Sequence, residues 1–143
     1  MTDAAETRSA VRRLLLAYDG REPARRALAM AIELARATRA HVGIVSVVPR
    51  TLGVVPDDPW GPRSEHASEL YEARRAFEQE GLKVETHEPS GEAGPAIVRV
   101  VRDFGYDTVV VGSRHMDPLL ERVLGSVSSF VVHHANANVV VVR

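Results

Sequence analysis

Short, continuously apolar runs alternate along this chain with longer segments of helical period, and few folds accept that pattern. Leu14-Leu15-Leu16-Ala17-Tyr18, Val42 to Val48, Val109-Val110-Val111 and Val139-Val140-Val141-Val142 have the character of strands buried on both faces. Between them, Ala24, Ala27, Leu28, Ala31, Ile32, Leu34 and Ala35 recur at helical spacing from Pro23 to Thr38, and Pro23 suits a first helical turn. A polar helix is expected over Ser64 to Gln79, with Ala67, Leu70, Tyr71 and Phe77 as its inner stripe and Gly81 as its stop. Leu82 to Thr86 alternates as an edge strand should. A helix from about Pro95 to Phe104 follows, with Ile97, Val98, Val100, Val101 and Phe104 on its apolar face. Then come a strand over Tyr106 to Val111, a short helix near 127–134 and a last strand from Asn138 to Val142. Strands alternating with helices in this order predict an α/β fold: a five-stranded parallel open sheet with helices on both faces and right-handed crossovers.

A sheet of that kind binds ligands beyond the carboxyl ends of its strands, where the strand order reverses. The segments to inspect are therefore Asp19–Arg21, Val47–Pro62, Pro89–Gly94 and Gly112–Ser128. The segment Thr51 to Pro62 holds three prolines, two glycines and two aspartates, which reads as a surface loop, with Trp60 inside it as an anchor or a lid.

Composition removes several functions. The 143 residues fit one domain, 1–143, and a chain of this length buries roughly two thirds of its unfolded surface. There are no cysteines, which excludes disulfides, thiolate metal sites and thiol catalysis. With 18 basic and 19 acidic residues there is no positive excess for a run of phosphates, so nucleic acid is not an expected partner. No run of about 18 apolar residues exists to span a membrane, and the acidic, polar start lacks the apolar core of a signal peptide. A cytoplasmic protein is the expectation.

Lys83 is the single lysine, and it lies away from any glycine-rich turn. A Walker-type phosphate loop, a Schiff-base enzyme and a receiver domain each need a placed lysine. The receiver reading also fails where a phosphorylatable aspartate should follow the third strand, because His87-Glu88 stands there. Gly125-Ser126-Val127-Ser128 is no Gly-x-Ser-x-Gly elbow. His133 and His134 are adjacent on a helix and diverge by roughly 100°, while His41, His66 and His87 fall in separate elements, so no resident metal site is expected.

The strongest local signal is Val111-Gly112-Ser113-Arg114-His115, nine further residues, then Gly125-Ser126-Val127-Ser128. Gly112 follows a buried strand, where a missing side chain lets backbone N–H groups approach an anion. Gly125-Ser126 opens a helix, whose first N–H groups favour phosphate. Together they read as a phosphate clamp without lysine; a tight turn plus an ordinary serine cap fits the same spacing.

These residues resemble the nucleotide-binding loop of the universal stress protein family, Gly-x2-Gly-x9-Gly-Ser/Thr after the fourth strand. Gly112, Gly125 and Ser126 stand at three of its four positions, Leu14–Asp19 is similar to the family's first strand with its terminal aspartate, Gly91 to the glycine before the third helix, and His134–Arg143 to its closing strand. The resemblance covers nearly the whole chain. It implies a Rossmann-like sheet of the adenine nucleotide alpha hydrolase type in strand order 3-2-1-4-5, an adenine nucleotide, ATP with Mg2+, as ligand, and a homodimer through the C-terminal strand. That strand is an unprotected pairing edge by its own sequence.

By the resemblance, Asp19 reaches the adenosine, Val47 offers its backbone to the adenine, and the Gly112 backbone with Ser126 and Ser128 holds the phosphates. Ser113, Val127 and Gly125 belong to the same loop, and Arg114 is available for charge-assisted contacts. Simpler roles stand beside these: Asp19 as a turn former before Gly20, Val47 as core, Arg114 as a solvated loop residue. The departure from the family is His115, at the second glycine position, where an imidazole either blocks a phosphate or, protonated, helps hold it. Apart from Asp19, Asp117 and His115 no general base is present in the loops, and none of these has a recognisable catalytic spacing, so the expected behaviour is binding with at most slow hydrolysis. A member acting without nucleotide, through dimerisation and protein partners, is the alternative.

Overall fold

The computed structural model describes residues 10–48, 62–113 and 125–143. Five strands lie parallel in one sheet: β1 (Arg13–Ala17), β2 (His41–Val45), β3 (Val84–His87), β4 (Thr108–Gly112) and β5 (Asn138–Val142). Their order across the sheet is β3-β2-β1-β4-β5, as the resemblance implied. Four helices connect them: α1 (Glu22–Thr38), α2 (Pro62–Gln79), α3 (Ala93–Phe104) and α4 (Ser126–His134).

The unbroken apolar runs exist because both faces of the central strands are covered. Leu14, Leu16 and Tyr18 point to one side of β1 and join Ala27, Ala31 and Ala35 of α1 with Leu70, Ala73 and Phe77 of α2. Leu15 points to the other side, with Val109 and Val111 of β4, Ile97, Val100 and Val101 of α3, and Val131 of α4. This is the two-residue alternation of a strand, with apolar side chains favoured on both faces. On α1 the alanines 24, 27, 31 and 35 form the buried stripe, and their small side chains let the helix axis sit close to the sheet.

Four local expectations need correction. Tyr71 is exposed and so is Ala67; the inner stripe of α2 is Leu70, Ala73 and Phe77, because a residue one position from Leu70 is turned by roughly 100° around the helix. Phe104 is half exposed at the end of α3 and lies against the His87 ring rather than in the core. Tyr106 precedes β4 instead of opening it: Gly105 adopts φ +68° and the Tyr106 N–H donates to the Val101 carbonyl, which closes α3. Helix α3 also begins at Ala93, with Pro95 in its first turn where no N–H is needed.

Asp107 fixes the junction of β1 and β4. Its carboxylate accepts the Arg12 and Arg13 N–H groups at 3.0 and 2.9 Å and the Thr108 hydroxyl at 2.8 Å. Beside β4, β5 is an edge strand, its valines only partly covered. Among the described residues no helix is long and apolar enough to cross a membrane.

Candidate functional site

Strand order reverses between β1 and β4: the chain leaves β1 through α1 toward β2, and returns from β3 through α3 to β4. The carboxyl ends of these neighbouring strands, with the last residues of β2 beside them, form the crevice where a ligand belongs in such a sheet.

Asp19 sits at the mouth of this crevice, exposed, and its Oδ1 accepts the Arg21 N–H at 3.0 Å. The turn-forming role is therefore real. Gly20 follows with φ +75°, and a Cβ there would lie 2.7 Å from the carboxyl carbon of Glu69 on α2. Glycine is needed at this position for its backbone angle, whereas the Glu69 side chain is flexible enough to shift. Beneath the turn, buried Tyr18 has its phenol pKa raised by desolvation first and by Glu72 second, against the opposing charge of Arg25, so the phenol stays protonated.

The chain after β2 keeps its pairing. Ser46 N–H donates to the His87 carbonyl at 2.9 Å, Val48 N–H to the Pro89 carbonyl at 2.8 Å, and Gly91 N–H to the Val48 carbonyl at 3.0 Å. Ser46 and Val48 thus face the β3 side. By the alternation of a strand, the N–H and C=O of Val47 face the β1 side, where β1 has already turned away at Asp19. Val47 is half-buried and packs against the core on the α3 side, so it is both core and a backbone edge at the crevice.

The two halves of the glycine-serine motif meet. Gly112 ends β4 opposite Val142, and a Cβ on it would overlap the Pro23 carbonyl and stand 2.8 Å from the Pro23 Cβ. Its first duty is to let the start of α1 lie against β4. Ser113 is buried; its N–H donates to the Val142 carbonyl at 2.8 Å and its hydroxyl oxygen accepts the Gly125 N–H at 3.2 Å. That bond ties the end of β4 to the start of α4 across eleven intervening residues. Ser128 is buried too, and its hydroxyl donates to the Gly125 carbonyl at 3.1 Å. Ser126 and Val127 are exposed in the first turn. The first bond of α4 runs from Ser129 N–H to Gly125 C=O at 2.8 Å, so the N–H groups of Ser126, Val127 and Ser128 point out of the helix end without an intrahelical acceptor. Arg114, His115 and Asp117 lie outside the described residues, as does Trp60.

Residues 10–143 match the model of the universal stress protein family. This chain belongs to the universal stress protein family. Universal stress protein YxiE of Bacillus subtilis is 31% identical over 92% of this chain and 98% of its own. Among solved structures, a universal stress protein in complex with cAMP superposes with a TM-score of 0.74 at 24% identity, over 94% of this chain and 98% of its own. The Archaeoglobus fulgidus universal stress protein in complex with dAMP gives 0.73 at 23%, over 94% of this chain and the whole of the other. At these identities the structures establish the shared fold.

In this universal stress protein, then, the sequence-derived site residues divide by what their side chains do. Ser113 and Ser128 spend their hydroxyls on the framework, bracing Gly125 through its N–H and its carbonyl. Asp19 and the backbone edge of Val47 lie at the crevice, and Ser126 is exposed on the first turn of α4. Two contacts that sequence reasoning missed, Pro23 against Gly112 and Glu69 over Gly20, lie between segments far apart in the chain. Only the glycines themselves signalled them.

Proposed function

We propose that this protein binds an adenine nucleotide, ATP carried with Mg2+, at the ends of β1, β2 and β4, and hydrolyses it slowly at most. The observation that carries this reading is the Ser113–Gly125 hydrogen bond, which holds the start of α4 against the end of β4. Three N–H groups and the Ser126 hydroxyl then stand at a positive helix end, the physical requirement for a phosphate site. Val47 supplies a donor and an acceptor of the kind an adenine edge pairs with, and Asp19 accepts from a ribose hydroxyl. Support comes from relatives in fold that were solved with cAMP and dAMP. The bound phosphates would supply most ligands for Mg2+, which retains water and needs few protein carboxylates.

Comparing adenosine, AMP and ATP tests the division of labour. Affinity is expected to rise with each added phosphate, and phosphate release at saturating ATP to stay far below one turnover per second. Equal affinity for adenosine and ATP would overturn the assignment of α4 to the phosphates.

The same reading includes a homodimer. β5 is an edge strand that presents half-covered valines and, among the described residues, an unpaired ladder, and pairing with β5 of a second copy would satisfy it symmetrically. Light scattering is expected to give twice the 15.6 kDa chain mass. A monomer mass at about tens of micromolar chain would contradict it.

A further inference from the structure

The face of β2 and β3 that turns away from α2 carries a polar cluster that the nucleotide reading does not use. Gly43 in β2 leaves a gap, and Tyr106 fills it: a Cβ at Gly43 would overlap the phenol oxygen. Through that gap the Tyr106 hydroxyl reaches His87 of β3, 2.7 Å from Nε2. Phe104 covers the imidazole, ring centroids 4.3 Å apart. The Arg13 guanidinium of β1 lies 5.0 Å from the Tyr106 ring centroid, and Glu85 of β3 bridges to His41 of β2 at 3.4 Å. The His87 carbonyl, meanwhile, is the acceptor for Ser46, the first residue of the strand extension described above.

We propose that His87 and Tyr106 form a proton-operated latch on the extension of β2 that carries Val47. Tyr106 stays protonated throughout, since burial first and Glu85 second push its pKa up to about 12. The phenol therefore donates to neutral His87, which keeps its own proton on Nδ1. Once His87 is protonated, Nε2 becomes a donor as well, and two donors face each other. The phenol must then turn its hydrogen away, and among the described residues it has no other hydrogen-bond partner. Arg13 adds a second positive charge on the same side, while Glu85, shared with His41, favours the imidazolium. Desolvation, with Arg13 acting in the same sense, outweighs Glu85 and lowers the His87 pKa below its ordinary value. Neutral His87 therefore contributes stability that is complete above about pH 6.5 and is lost as pH falls through the lowered folded-state value. An effect on nucleotide affinity rests on the reading given under Proposed function.

NMR of the full chain tests the latch without any ligand. Expected is a His87 ring that stays neutral to a pH below the ordinary histidine value, with the Ser46 and Val48 amide signals moving at the His87 midpoint. Tyr106→Phe removes the donor to the neutral ring, so the His87 midpoint rises and the two amides follow it. In His87→Gln their acid-dependent movement vanishes. Movement that persists in His87→Gln, or amides that stay still while His87 titrates, would overturn the latch; should His87→Gln fail to fold, Tyr106→Phe decides alone. ATP affinity is expected to fall at least about threefold across that midpoint in the parent protein and to stay level in His87→Gln. A level affinity in the parent would overturn the coupling, whereas no ATP binding at any pH would overturn the nucleotide reading alone and leave the amide result to judge the latch.

Discussion

Gly112→Val is expected to lower folding stability by about 3 kcal/mol, the upper range for forcing extra volume into a packed site, and to abolish nucleotide binding with it. The reason is an overlap with backbone. The added Cβ would meet the Pro23 carbonyl at the start of α1, and a helix end cannot rotate out of the way as a flexible side chain can. Either α1 lifts from the sheet or the end of β4 moves. In the second case Ser113 moves with it and the bond to Gly125 opens, so the start of α4 loses its place. Denaturant unfolding reads the first effect and titration with ATP at a temperature where the variant remains folded reads the second. A folded Gly112→Val protein with unchanged ATP affinity would show that the junction of β4 and α4 does not form the phosphate site.

Phe77→Ala is expected to cost about 3–5 kcal/mol, the usual range for a large aromatic removed from a packed core. Phe77 is fully buried near the end of α2, against the β1–β2 side of the sheet, and it anchors an otherwise polar helix together with Leu70 and Ala73. Its carbonyl also accepts the Glu80 and Leu82 N–H groups, which turn the chain into β3. Truncation would leave a cavity under the helix that carries Glu69 over the Gly20 turn, so destabilisation and a loosened crevice should appear together. Tyr71→Ala on the same helix is the contrast. Its ring is exposed, and a change within about 0.5 kcal/mol is expected. Thermal and urea unfolding of the two variants separate these outcomes, and equal losses would contradict the assignment of the buried stripe.

How far such features were legible in the sequence depends on how local their causes are. The strands announced themselves because a buried parallel strand must be apolar at every position, as Leu14–Leu16 and Val109–Val111 are. The order β3-β2-β1-β4-β5 came through the family resemblance, since apolar runs say that strands are central or at an edge without saying beside what. Tyr71 and Ala67 lie off the buried stripe of α2, which the sequence leaves ambiguous because the helix is polar overall and its apolar residues are few.

At the site, the spacing of Gly112, Gly125 and Ser126 was visible, and so was Asp19 before Gly20. The division of labour among the serines was not. Ser113 and Ser128 are turned inward onto Gly125, and Ser126 outward by its place on the first turn of α4. No local pattern distinguishes those three hydroxyls. The His87–Tyr106 pair was likewise hidden, because nothing in Gly43 says which distant side chain fills the space above it. His115, Arg114 and Trp60 lie outside the described residues.

Calorimetric titration of nucleotide-stripped protein with Mg-ATP, the stripping verified by mass spectrometry, tests the central claim most directly. Saturable binding close to one site per chain is the predicted result, and it would show that the junction of β4 and α4 works with His115 in place of glycine. No heat at millimolar ATP, from protein that also carried no nucleotide out of purification, would contradict it and leave the β5 edge and its partners as the seat of function.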